Sequence, residues 1–116
     1  MRRVGFAAVC GVCACTGSEA TGDSGLCATA PVVTYETFGS GFLTENCQTC
    51  HASTSPDRTE APEEVTFDSP EAAWTWADRI LVRAGGDTPT MPPMGGTTPD
   101  DRYLLEVWLT CAEPGT

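Results

Sequence analysis

The sequence predicts a mainly α fold, a small bundle of about three helices joined by long loops, and three observations carry that prediction. Apolar residues recur at helical spacing in three segments. Two of those segments open with a hydroxyl residue, a proline and an acid, the combination that starts helices. No run alternates apolar and polar residues as a half-buried strand would. With 116 residues the chain suits one small domain, whose modest core a bulky cofactor or a disulfide would supplement.

The first helix is expected from Thr34 to Cys47, with Phe38 and Phe42 one turn apart and Leu43 beside them. Gly39 and Gly41 weaken it, each by on the order of 1 kcal/mol relative to alanine, so close packing must offset them. The second starts at Asp68 or Ser69 as cap, with Pro70 and Glu71 following. It carries the stripe Trp74, Ala77, Ile80, Leu81, Ala84 and ends at Gly85-Gly86. The third is capped by Thr98, with Pro99 next and Asp100 and Asp101 favoured by the helix dipole. Its Leu104, Leu105, Val107, Trp108 and Leu109 cover more than one face, which predicts packing on two sides. Between the helices run two long loops, "STSPDRTEAPEEVTF" and "GGDTPTMPPMGGT", of the kind that carries function.

Residues 1–15 read as an export signal: Arg2 and Arg3, then the apolar run "VGFAAVCGVCA", too short to span a bilayer as a mature helix. "VCAC", Val12 to Cys15, resembles a bacterial lipobox, which makes Cys15 the candidate lipidation site and mature N-terminus. A soluble periplasmic product of ordinary signal cleavage is the alternative. Residues 16–33, rich in Gly, Ser, Thr, Ala and acid, read as a flexible tether. All sixteen acids lie after Cys15 against four arginines, Arg58, Arg79, Arg83 and Arg102, so the mature chain carries a net charge of 4 − 16 = −12. There is no lysine. That balance argues against a nucleic-acid partner, and a protein docked by electrostatics should present a basic patch.

The chemistry concentrates in "ENCQTCHAS", residues 45–53, which holds Cys47, Cys50 and the only histidine, His51. A thioredoxin-like redox pair would need a preceding strand, and none is expected. A structural zinc site would need Cys27 or Cys111 as fourth ligand. A plain Cys47–Cys50 disulfide leaves the histidine unused, and chance predicts the motif on the order of a few times in a thousand such compositions. Covalent haem c uses every position. Two sulfurs two residues apart reach the two vinyl groups on one porphyrin edge, and the next histidine presents its imidazole to the iron. No second imidazole exists for the opposite face, so the distal ligand must be a soft thioether or nothing. Met91 and Met94, in "TPTMPPMGG", are the candidates. Pro92-Pro93 stiffen the strap that carries Met91, whereas Met94 precedes Gly95-Gly96. Either methionine could instead pad the cofactor edge, leaving an open site.

These motifs together resemble class I c-type cytochromes over residues 34–112. A helix ending in CxxCH carries Gly39 and Leu43 eight and four positions before Cys47, an "MPP" loop follows, and the last helix has Leu105, Trp108 and Leu109 at the family's spacing. Phe67-Asp68 and Trp108-Leu109-x-Cys111 are also similar to a group of short bacterial envelope cytochromes, often lipoproteins. The resemblance implies a cytochrome c domain over residues 34–113, first and last helices crossing near Gly39, and a monomeric single-electron carrier, not an enzyme. The alternative function is a haem-based module that binds or senses a small ligand at an open or labile sixth position. A peroxidase-like activity fits poorly with one haem and no second histidine. The lysine ring used for docking by mitochondrial relatives is missing, and Arg58 or Arg79 is either a partner of the haem propionates or, the favoured reading, a solvated surface residue. Cys27 and Cys111 remain, and in an oxidising compartment a disulfide between them would tie the start of the domain to the last helix; two free buried thiols are the alternative.

Overall fold

A computed structural model describes residues 24–116. The export signal with Cys15, and residues 16–23 of the expected tether, lie outside the described residues. Six α-helices and one π-helical turn follow in order: α1 Ser24–Thr29, the π turn Tyr35–Gly39, α2 Ser40–Asn46, α3 Gln48–His51, α4 Pro70–Thr75, α5 Ala77–Ala84 and α6 Pro99–Cys111. No strand occurs among the described residues. The fold is therefore mainly α, as expected, but each of the first two expected helices is subdivided and one further helix precedes them.

Helix α6 is the centre of the packing, in contact with α1, the π turn and α5. Its start follows the sequence signature: Thr98 Oγ1 accepts the Asp101 N–H at 3.1 Å, and the Asp101 carboxylate accepts the Thr98 N–H at 2.9 Å. Leu105, Val107, Trp108 and Leu109 are all buried, so the helix is indeed covered on two sides. Each such side chain contributes about 1.5–3 kcal/mol by leaving water.

The segment expected as one helix from Thr34 to Cys47 begins as a π turn, with Gly39 N–H bonded to Thr34 O across five residues at 3.1 Å. Thr34 and Thr37 cap it reciprocally. The wider turn presents Gly39 to Trp108, where an added Cβ would lie 2.7 Å from a ring carbon. The crossing implied by the family resemblance is present, and it explains one interior glycine. Gly41 has nothing within 4 Å of an added Cβ, so packing does not explain the other.

The second expected helix breaks at Trp76, whose φ of −110° and ψ of 12° leave the helical region. Ser69, not Asp68, is the cap, accepting the Ala72 N–H at 3.2 Å. No glycine or proline marks the break; on either side of it, Trp74 packs edge-on to Trp108 at 6.5 Å and Trp76 lines the cavity described below. Ala77, Ile80 and Ala84 form the buried stripe of α5, as the spacing predicts.

The described part of the expected tether is folded. Helix α1 lies against α6, Cys27 and Cys111 meet at disulfide distance with Cα atoms 5.3 Å apart, and Val33 joins the core. Composition hid this because Leu26, Cys27 and Val33 are too few to give a period.

Candidate cofactor site

Four segments converge on the site: α3 with its preceding residue, the loop from Ala52 to Asp68, α5 with its preceding residue, and the strap from Gly85 to Thr97. Cys47 sits at the kink between α2 and α3, with φ −126° and ψ −41°. Its carbonyl accepts the N–H groups of Cys50 and His51 at 3.2 and 2.9 Å, winding one tight turn. That turn sets the two cysteines three residues apart on one side of the helix, the spacing at which side chains share a face. Both thiols are free, whereas Cys27 and Cys111 are engaged with each other.

His51 is held by the loop that follows it. The chain doubles back so that Phe67 N–H bonds to His51 O at 2.9 Å and Gln48 Nε2 donates to Phe67 O at 3.0 Å. Buried Phe67 stacks on the imidazole with centroids 4.7 Å apart. Asp68 accepts the Ser53 N–H with both carboxylate oxygens, at 3.0 and 3.1 Å. The Phe67-Asp68 pair thus closes the loop from both sides. Val65 O lies 3.1 Å from His51 Nδ1. A carbonyl only accepts, so the proton is on Nδ1 and the lone pair is on Nε2, the atom available to a metal.

Arg58 departs from the favoured expectation of a solvated surface residue. It is half-buried, and Nη1 donates to Ala52 O at 2.7 Å while Nη2 donates to Pro62 O at 2.7 Å and Val65 O at 2.9 Å. Its guanidinium is a clamp on backbone carbonyls, so the reading as a solvated surface residue does not hold for it. Arg79 is exposed at the cavity wall, consistent with that reading in its own case.

The methionine strap is anchored at both ends. Arg83 O, in the last turn of α5, accepts the N–H groups of Thr90 and Met91, each at 2.8 Å. Arg102 on α6 donates to Gly86 O at 2.7 Å and Thr97 O at 2.8 Å. Met91 is half-buried against the core, whereas Met94 is 96% exposed.

Cys47, Cys50, His51, Met91 and Met94 all line one cavity of about 630 Å³, which is of cofactor size. The cavity burdens Cys47: its removal from water penalises the thiolate and pushes the thiol from 9.0 up to about 12. Cys47 is half-buried, and a thiol held protonated must lose its proton before it can ligate a metal. The zinc alternative also loses its fourth ligand, since Cys27 and Cys111 are engaged with each other. Two thiols, one imidazole lone pair and one thioether around a single cavity are the donor set required by a covalently tethered, six-coordinate iron macrocycle.

The clamp role of Arg58 and the parts played by Val65 O, Arg83 O and Arg102 were not expected from the sequence. A ligating histidine needs a partner for its second nitrogen, but a backbone carbonyl fourteen residues away leaves no side-chain signature. Compared with protein-family models, with curated proteins and with solved structures, the chain matches none of them.

Proposed function

We propose that the protein is a monohaem c-type cytochrome that carries single electrons in the bacterial cell envelope, with His51 and Met91 as axial ligands. The observation that carries this reading is the gathering of both free thiols, the only histidine and Met91 around one cofactor-sized cavity. Cys47 and Cys50 would hold one porphyrin edge as thioethers. His51 Nε2 would ligate the iron from one face, its ring fixed by Val65 O and Phe67. Met91, on a strap tied to Arg83 O, would ligate from the other, in preference to the exposed Met94. Bound there, haem would supply a ferric/ferrous couple that takes up and releases one electron without making or breaking a substrate bond.

The residues around the group determine how such a couple performs. Phe67 and Ile80 give the cavity apolar walls that would keep water from a bound group, and the anchored strap would hold the Met91 sulfur through both oxidation states. Arg79 and Arg83 are exposed at the cavity rim, where their charge would lie near a bound group, whereas Arg58 is committed to carbonyls. The acidic balance supports a redox partner with a basic docking patch and disfavours nucleic acid. Among the described residues no helix is long and apolar enough to cross a membrane, so attachment would rest on lipid at Cys15.

Production in cells with a cytochrome maturation system tests the proposal. A pyridine haemochrome spectrum of the haem c type, retained after acid-acetone extraction, is expected. A colourless protein whose Cys47 and Cys50 react with thiol reagents once it is unfolded overturns it.

A further inference from the structure

The carbonyl of Val65 serves two donors at once. His51 Nδ1 approaches it at 3.1 Å and Arg58 Nη2 donates to it at 2.9 Å. A carbonyl oxygen has two lone pairs, so both bonds can stand together, but they are not independent. A guanidinium bond draws electron density from the oxygen and leaves it a weaker acceptor for the imidazole N–H.

The geometry around Arg58 is built for this contact. Its Nη1 and Nη2 also reach Ala52 O and Pro62 O, so one side chain spans the whole return of the loop. The two residues after it, Thr59 and Glu60, both adopt left-handed backbone, with φ of 47° and 65°. Non-glycine residues there cost on the order of 1–2 kcal/mol each, so the loop holds a strained conformation that carries the guanidinium under its own carbonyls. Pro62 O also accepts the Val65 N–H at 3.0 Å, which fixes Val65 relative to the second arm of the fork.

We propose that Arg58 is a positioning residue that sets the electron donation of His51, and through it the reduction potential of the site. This rests on the proposed role of His51 as an iron ligand. The stronger the acceptor on Nδ1–H, the more imidazolate character the ring has and the more it favours the ferric state. By weakening that acceptor, Arg58 makes the imidazole less donating and raises the potential. Its fixed positive charge disfavours ferric iron as well, so the two effects share one sign.

The haem-loaded protein and its Arg58→Gln and Arg58→Lys variants separate these effects. The midpoint potential and the His51 Nδ1–H proton resonance of the ferrous form are measured for each. In Arg58→Gln the potential is expected to fall and the resonance to move downfield as the bond to Val65 O strengthens. In Arg58→Lys, which keeps the charge but lacks the planar fork, the resonance should also move downfield, with a smaller fall in potential. A potential and a resonance unchanged in a folded, haem-bearing Arg58→Gln protein overturn the inference. So does a fall in potential with the resonance unmoved, which would reduce Arg58 to a distant charge. If the parent protein carries no covalent haem, the proposed function fails, and this inference fails with it; loss of the Arg58 effect alone leaves that function intact.

Discussion

Gly39 and Trp108 are in contact across the helix crossing: a Cβ on Gly39 would stand 2.7, 2.8 and 2.9 Å from three carbons of the buried indole. Real Cβ atoms do not approach that closely, and Trp108 is held in place by its Nε1 bond to Thr116 O at 2.8 Å and by Tyr35 and Trp74. Gly39→Ala should therefore destabilise the domain by about 1–3 kcal/mol, the cost of overpacking a filled core. Gly41→Ala, which meets nothing, should be neutral or stabilising by up to about 1 kcal/mol. Denaturant midpoints of the two variants test this, and equal losses would remove the steric reading of Gly39.

The two methionines should separate cleanly. Met91→Ala is expected to abolish the sulfur-to-iron charge-transfer band near the red edge of the ferric spectrum and to lower the potential, since a soft thioether favours ferrous iron. Met94→Ala, at a residue 96% exposed, should leave the band intact. Absorption spectra of both variants decide it. Unchanged features in Met91→Ala, together with ready carbon monoxide binding by the native protein, would favour an open, ligand-sensing iron.

Cys47 predicts a pH dependence of the haem-free chain. Its folded-state thiol, at about 12, lies above the 9.0 of an exposed one, so the folded state keeps a proton that the unfolded state releases. Below pH 9.0 the stabilisation is fully present, and it is lost as pH rises from there towards 12. The span corresponds to roughly 4 kcal/mol at most. Alkylation of Cys47 should be slow across the same window. Thioether formation removes the ionisable group, so the haem-bearing protein should lack this component of the pH profile. Stability measured against pH on both forms checks the difference.

The Cys27–Cys111 pair closes 84 residues of sequence separation. Loop-closure entropy sets a ceiling of about 4.5 kcal/mol for such a crosslink, and about 2–4 kcal/mol is the usual yield. Cys27→Ser with Cys111→Ser should lower the unfolding midpoint accordingly while leaving the spectrum unchanged. A loss of the axial-ligand spectrum would instead place the crosslink within the structure of the site.

The parts legible in the sequence were those governed by local rules. Thr98, Pro99 and Asp101 start α6 through hydroxyl, ring and carboxylate chemistry that needs only neighbouring residues. The stripe Ala77, Ile80, Ala84 needs only the helical period. Cys47, Cys50, His51 and Met91 were legible as candidates because their donor chemistry is rare in the chain. What stayed hidden depends on distant contacts. The break at Trp76 accompanies the contact of Trp74 with Trp108, and the π turn accompanies the close approach of Gly39 to Trp108. Arg58 looked like a surface charge because the carbonyls it reaches become neighbours only after the loop has folded back on α3.

The pairing of Cys27 with Cys111 also holds the first described helix against the last. With α1 seated against α6, only residues 16–23 separate it from Cys15, eight residues whose full extension is about 28 Å. If the protein is the electron carrier proposed above, a lipid on Cys15 would confine it to a shell close to one membrane surface. Its partners would have to come to that surface, or be embedded in it, rather than be reached by a long swing across the envelope.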